Sequence, residues 1–176
     1  MITDGRSITH ELALQAAHRM VTAAMTAPKG KGADDIECII VDGKEKETLA
    51  DQMLRLAEGQ PNASFVRDAG NIRTAECVVL IGCKRMPLGL NCGHCGFAKC
   101  GEKPKNVPCV FNVTDLGIAV GSAASVAADS RVDTRIMFTA GLACMELKWL
   151  KECSPVYAMP ISITAKSPFF VKQLEV

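Results

Sequence analysis

The chain is poor in aromatic residues: one Trp, one Tyr and six Phe make up 5% of its 176 residues. Ala, Val, Ile, Leu and Met must therefore fill the interior, and a 48% hydrophobic content is enough for one domain with a sizeable core. Charge of one sign is missing too. With 20 basic and 19 acidic side chains the net charge is +1, which excludes a protein whose main work is neutralising nucleic-acid phosphates. The opening residues MITDGRSITHELALQ hold no basic segment followed by an apolar one, so no secretory signal is expected. The longest weakly polar run, Leu116 to Ala128, is short and rich in Gly and Ser, and no membrane span is expected from it. These absences predict a soluble cytoplasmic protein with neither nucleic acid nor membrane as partner.

Hydrolytic constellations are lacking as well. His10 and His18 fall on one helical segment facing apart, and His94 sits among cysteines, so no Ser/His/Asp or Cys/His set is legible. Asp34–Asp35 and Asp129/Asp133 are the close carboxylate groupings. Nothing near them raises a pKa; they read as caps and surface charge, with Asp129 and Asp133 bracketing Arg131 or Arg135 as ion pairs. No repeat, low-complexity tract or long linker divides the chain, which predicts a single domain over residues 1–176.

What the sequence does have is cysteine, nine in all. An odd number without a secretory signal is not a disulphide framework. Cys38, Cys77, Cys83, Cys144 and Cys153 stand in apolar company (IECIIV, AECVVLIGC, GLACMEL) and read as small buried hydrophobes. The other four crowd into NCGHCGFAKCGEKPKNVPC with the spacing C-x2-C-x4-C-x8-C, at Cys92, Cys95, Cys100 and Cys109.

Periodicity organises the rest. Ser7 is placed to cap a helix whose Ile8, Leu12, Ala16, Met20 and Ala24 share one face, ending before APKGKG. Ile36 to Asp42 reads as a buried strand ended by Gly43. Lys44 to Glu58 reads as an amphipathic helix with Leu49, Met53, Leu54 and Ala57 inward and Gly59 beyond its end. Phe65 to Thr74 predicts a short helix or turn, and Glu76 to Gly82 a second strong strand. Asp115 to Arg131 is a small-residue helix, RIMFT a strand followed by the helix AGLACMELKWLK, and Val156 to Thr164 a last strand placed at an edge by Pro160.

Between Cys83 and Pro108 there is no helix or strand period, and a structureless stretch of that length needs something other than apolar burial to order it. A metal centre would do so, which sets residues 83–110 apart as an iron–sulphur (ferredoxin-like) loop. An iron–sulphur cluster is gripped by thiolates at its corners, and Gly93, Gly96 and Gly101 each follow a cysteine, letting amide N–H groups approach the sulphurs. Pro108 before Cys109 matches a habit of cluster proteins. Structural zinc is the competing reading, since all-thiolate ligation suits both metals, although zinc knuckles place His third and a shorter last gap. A thiol-only redox pair leaves the third and fourth cysteines unexplained. His94 reads as a residue outside the ligand set. Lys84, Arg85, Lys99, Lys103 and Lys105 read either as a solvated loop or as a basic collar that offsets cluster charge and steers an acidic redox partner protein.

The run GLNCGHCGFAKC resembles the small four-iron domain of electron-transfer subunits in membrane and acetyl-CoA-pathway complexes, which implies a [4Fe-4S] cluster; the shorter gap to Cys109 departs from that pattern. The whole chain resembles a family of uncharacterised prokaryotic proteins labelled as ferredoxin-domain-containing and related to FMN-dependent nitroreductases. The likeness rests on TAPKGKGADDIECIIVDGKEKETLADQM, DLGIAVGSAASVAADSRVD and MPISITAKSPFF. It implies an α+β fold, an antiparallel sheet flanked by helices with the cysteine-rich loop inserted. It also implies a homodimer with FMN at the subunit interface and flavin-linked oxidoreductase activity, with a flavin-free electron carrier or binding module as the alternative. Arg6 and Ser7 are the implied phosphate contacts of the first helix. The family's Ser and Asn after its Ala-Pro pair are replaced by Lys29 and Gly32, but Pro28, Lys29, Gly30, Lys31 and Gly32 can still cradle a phosphate through ammonium and amide donors. Lys166 is a further candidate contact.

Overall fold

Two apolar, β-branched runs set the middle of the molecule. IECIIV forms β1 (Ile36–Val41) and the stretch after Glu76 forms β2 (Cys77–Lys84), paired antiparallel with Ile36 opposite Cys83 and Val41 opposite Val78. The computed structural model describes residues 2–58 and 63–170. β4 (Cys153–Ser162) lies along the other side of β2, and the two-residue β3 (Asp133–Thr134) beyond it, giving the antiparallel order β1-β2-β4-β3.

Helices cover both faces, so β2 shows no inside–outside alternation and only its last residue, Lys84, escapes burial. α1 (Thr9–Thr26) and α4 (Val110–Asp129) pack on the face carrying Cys77, Val79, Ile81 and Cys83. α2 (Gly43–Glu58), α3 (Ala63–Thr74) and α5 (Phe138–Glu146) pack on the face carrying Val78 and Leu80. This is the α+β architecture expected from the sequence.

Several boundaries differ, each for a local reason. Asp4, not Ser7, caps the entry: its Oδ1 accepts the Arg6 amide, opening a tight turn at Gly5–Ile8 before α1. The buried stripe of α1 is Ala13, Ala16, Ala17, Met20 and Ala24, while Leu12 is exposed. Leu49, Ala50 and Met53 bury in α2, with Leu54 and Ala57 half-buried; the stop expected at Gly59 lies outside the described residues. α4 begins at Val110, directly after the fourth clustered cysteine, rather than at Asp115. RIMFT is not a strand: only Met137 bridges to Ala158, and α5 starts at Phe138. β4 is internal, not an edge. Pro160 stands opposite Arg135, where the β3 side of the ladder is broken between Thr134 and Met137, so its missing N–H removes no bond. Among the described residues neither Asp129 nor Asp133 forms an ion pair; Arg135 instead donates to the Phe169 carbonyl at 2.7 Å and covers the Phe170 ring at 5.1 Å.

By length and composition α4, with a mean hydropathy of 1.4, could cross a bilayer. Here it is a core helix, with Leu116, Ala119, Ala123 and Ala127 buried against α1 and the sheet.

Of the five scattered cysteines, Cys77, Cys83, Cys144 and Cys153 are buried as expected, whereas Cys38 on β1 is only half-buried; all five are held as neutral thiols. Burial pushes Cys38 and Cys144 up to about 11, and Cys77, Cys83 and Cys153 up to about 12, from 9.0. Between those values the unfolded chain releases thiol protons that the folded one keeps, so stability present below pH 9.0 is lost as pH rises toward 12. Urea unfolding at stepped pH should show a midpoint that falls steeply above pH 9.0; a flat profile to pH 11 would contradict the burial of these thiols.

Candidate metal centre and the loops around it

β2 ends at Lys84 and the chain leaves the sheet, returning only as α4 begins at Val110. Asn112 fastens the two ends together: its buried Nδ2 donates to the carbonyls of Lys84 at 3.0 Å and Met86 at 2.6 Å. Between them Gly89, Asn91, Gly93 and Gly96 take positive φ (71°, 49°, 75° and 87°), so the backbone reverses repeatedly where Cβ atoms would resist it. Asn91 and Cys100 clasp each other: the Asn91 amide donates to Cys100 Sγ at 3.3 Å and the Cys100 amide to Asn91 Oδ1 at 2.8 Å. His94 stacks on Phe111 of α4 at 5.7 Å, folding the loop tip back.

The four cysteines graduate inward. Cys92 is exposed, Cys95 and Cys100 are half-buried, and Cys109 is buried at the start of α4. Burial pushes the Cys109 thiol up, but the amides of Leu88, Asn112 and Phe111 and the Lys103 ammonium together draw it below its ordinary value. Phe111 and Asn112 belong to the first turn of α4 and Leu88 to the loop after β2, and no side-chain capping hydrogen bond is closed by Cys109. Cys83, nearby, stays neutral for the opposite reason: burial, then Asp35 and Asp115, push it up.

Among the described residues no three Cys, His, Asp or Glu side chains are gathered closely enough to hold a metal ion. The sulphurs are thus not convergent in this arrangement. The donor set itself fits an iron–sulphur cluster or zinc: four thiols on one loop, an amide already donating to one sulphur, neighbouring amides lowering the pKa of another, and Lys103 only 9% exposed with no carboxylate partner among the described residues. A groove of about 640 Å³ opens beside Cys100, walled by Arg85, Met86, Pro87, Lys105 and Asn106.

The Pro28–Gly32 segment belongs to the same place. The Gly30 amide donates to Asp115 Oδ2 at 2.9 Å, and Lys31, at φ 58°, sends its ammonium to the Leu88 carbonyl at 3.2 Å. A Cβ at Gly30 would lie 2.6 Å from Leu88, so the two loops meet without room for a side chain. Lys29 turns back to hold the end of α1, donating to the carbonyls of Ala24, Met25 and Ala27 at 3.2, 2.5 and 2.8 Å. Arg6 and Ser7 stand before the other end of α1, about 27 Å away by helix rise, with Ser7 Oγ on the Asp4 carbonyl at 2.7 Å. Lys166 follows β4 at that same end of the sheet, its carbonyl accepting from Thr164. The proposed phosphate contacts therefore fall into two groups, and one chain does not bring them together.

Asp115, Asn112 and Asn91 were not singled out from the sequence. Asp115 had a signal, as the one charge between Val110 and Ala128 of an otherwise apolar helix.

Comparison with known proteins follows these features. The profile of a family described as "uncharacterized protein containing a ferredoxin domain" matches residues 105–171, a stretch that includes Cys109. An uncharacterized protein of Archaeoglobus fulgidus is 39% identical over 180 residues, covering 97% of both chains. A nitroreductase with bound FMN from Desulfitobacterium hafniense superposes with a TM-score of 0.58 at 18% identity, over 100% of this chain and 87% of its own. An FMN-dependent nitroreductase from Clostridium difficile gives 0.53 at 18% identity, over 86% and 76%. These structures share the fold.

Proposed function

This chain belongs to the family of uncharacterized proteins containing a ferredoxin domain, and from that footing we propose that it is a redox protein holding a [4Fe-4S] cluster through Cys92, Cys95, Cys100 and Cys109. The observation that carries the proposal is the setting of Cys109, buried at a helix start, where the amides of Leu88, Asn112 and Phe111 and the charge of Lys103 together hold its thiol below its ordinary value. A neutral structural thiol needs no such surroundings; a metal-bound thiolate is stabilised by them. The cluster would supply one-electron transfer. For the protein's part, residues 83–110 order the thiols, Asn112 anchors the loop, and Asn91 donates to Cys100.

FMN is the proposed second cofactor, supported by its presence in a structural neighbour of the same fold. Lys29, Lys31, the Gly30 amide and the Ser7 hydroxyl already have partners, so Arg6 and Lys166 are the phosphate contacts to test first, with Pro28–Gly32 lying instead against the cysteine loop. That same engagement favours the second reading, a flavin-free electron carrier. A homodimer is proposed from α4, whose outward Val110, Thr114, Gly117, Ile118, Gly121 and Ser125 present an exposed face without charge. The exposed Arg85, Lys99 and Lys105 suit an acidic redox partner, whose rate of electron exchange should fall as salt rises. A cytoplasmic setting fits nine free thiols.

One experiment tests the core of this. Protein prepared without oxygen is assayed for iron, sulphide, zinc and flavin, with low-temperature EPR and sedimentation velocity. About four irons and four sulphides per chain are expected. Zinc without iron makes the centre structural, and iron without flavin even after FMN is added makes the protein a carrier.

A further inference from the structure

Of the five cations in the cysteine-rich stretch, Lys103 is the exception. Lys84 pairs with Glu37 at 3.3 Å, and Arg85, Lys99 and Lys105 stand in water, which screens them. Lys103 is only 9% exposed. Its ammonium donates to the carbonyls of Pro104, at 3.3 Å, and Val107, both in the interval between Cys100 and Cys109. Its own amide turns back to the Cys100 carbonyl at 3.4 Å. Among the described residues no carboxylate lies within ion-pair distance of it.

A buried ammonium held only by neutral carbonyls is costly, and such a group ordinarily has an anion to face. Cys100 and Cys109 flank Lys103 along the loop, and its positive charge acts on the Cys109 sulphur, while the neighbouring Glu102 makes no ion pair with it. Resting on the metal-centre reading, we propose that Lys103 is the internal counter-ion of that centre, a positioning charge that raises its reduction potential and slows loss of its metal. The physical reason is locality. Lys103 also lines the groove beside Cys100, but with little of its surface in water its charge is screened less than that of the exposed collar.

The test compares Lys103→Met, which keeps the length of the side chain and removes the charge, with Lys103→Arg and with Lys105→Met as the exposed control. Metal content is measured first, then the midpoint potential by redox titration and the rate at which EDTA strips the metal. Lys103→Met should lower the potential and speed stripping by about tenfold. Lys103→Arg should restore both, and Lys105→Met should change neither. Should Lys103→Met fail to fold by far-UV CD, Lys103→Gln carries the same comparison. Wild-type potential and stripping rate in the neutral variant overturn the inference. So does equal damage from Met and Arg, which would mean packing rather than charge. Metal-free wild-type protein overturns the centre itself, a failure distinguished by the first measurement; zinc in place of iron leaves the stripping rate as the readout.

Discussion

Serine in place of Cys100 should release the metal while leaving the sandwich folded. The side chain sits on a loop outside both apolar clusters, so its removal opens no core cavity. A serine hydroxyl is close in size and can still accept the Asn91 amide that now reaches Cys100 Sγ. What it cannot supply is a thiolate. Losing a hydrogen bond around a metal ligand already costs 10–100-fold in affinity, and losing the ligand should cost more than about 100-fold. Metal per chain, measured beside far-UV CD, reads the two effects separately. Cys95→Ser should behave alike, whereas Cys144→Ser, buried in α5, should keep its metal. Full iron content with an intact fold in the Cys95 and Cys100 variants would remove the basis of the proposed centre.

The second large effect concerns stability and one missing methyl group. A Cβ on Gly141 would lie 1.8 Å from the carbonyl oxygen of Val156 and 2.6 Å from its carbon. The obstacle is backbone of β4, an internal strand, so no side chain can swing aside. α5 would have to lift from the sheet, taking Ala140, Ala143 and Cys144 out of their contacts. Gly141→Ala should cost about 3 kcal/mol or more, a large part of the roughly 5–15 kcal/mol that holds a domain folded. Gly70 is the control. It is also helical, but a Cβ there meets nothing within 4 Å, and Gly70→Ala should stabilise by about 0.5–1 kcal/mol. Urea midpoints for the two variants should move in opposite directions; a mild Gly141→Ala would mean that α5 does not sit this close to β4.

The same contrast explains what could be read in the sequence. β1, β2, α2 and α3 are stated by short-range pattern, because apolar period and β-branching act over neighbouring residues. Pro160 misled because its rule concerns a missing donor, and whether a donor is needed depends on a partner strand far away in the chain. RIMFT has strand-like residues, yet the close seat that Gly141 gives α5 on β4 draws the helix start forward to Phe138. α4 starts early because Cys109 is its boundary, something invisible while that cysteine was read only as a possible ligand. The cysteine spacing itself was fully legible. The bond from Gly30 to Asp115 spans 85 positions and has no local pattern to betray it, so the two loops looked like separate sites.

The clamp made by Asn112 has a consequence for how the molecule meets oxygen. Because the carbonyls of Lys84 and Met86 are tied to the first turn of α4, both stumps of the excursion are fixed by the sandwich and not by what the excursion carries. If the proposed cluster is present, a chain stripped of it would keep its scaffold and lose order only in the segment beyond the clamp. Damage would then be repairable by reconstitution with iron and sulphide, without a return to the unfolded chain.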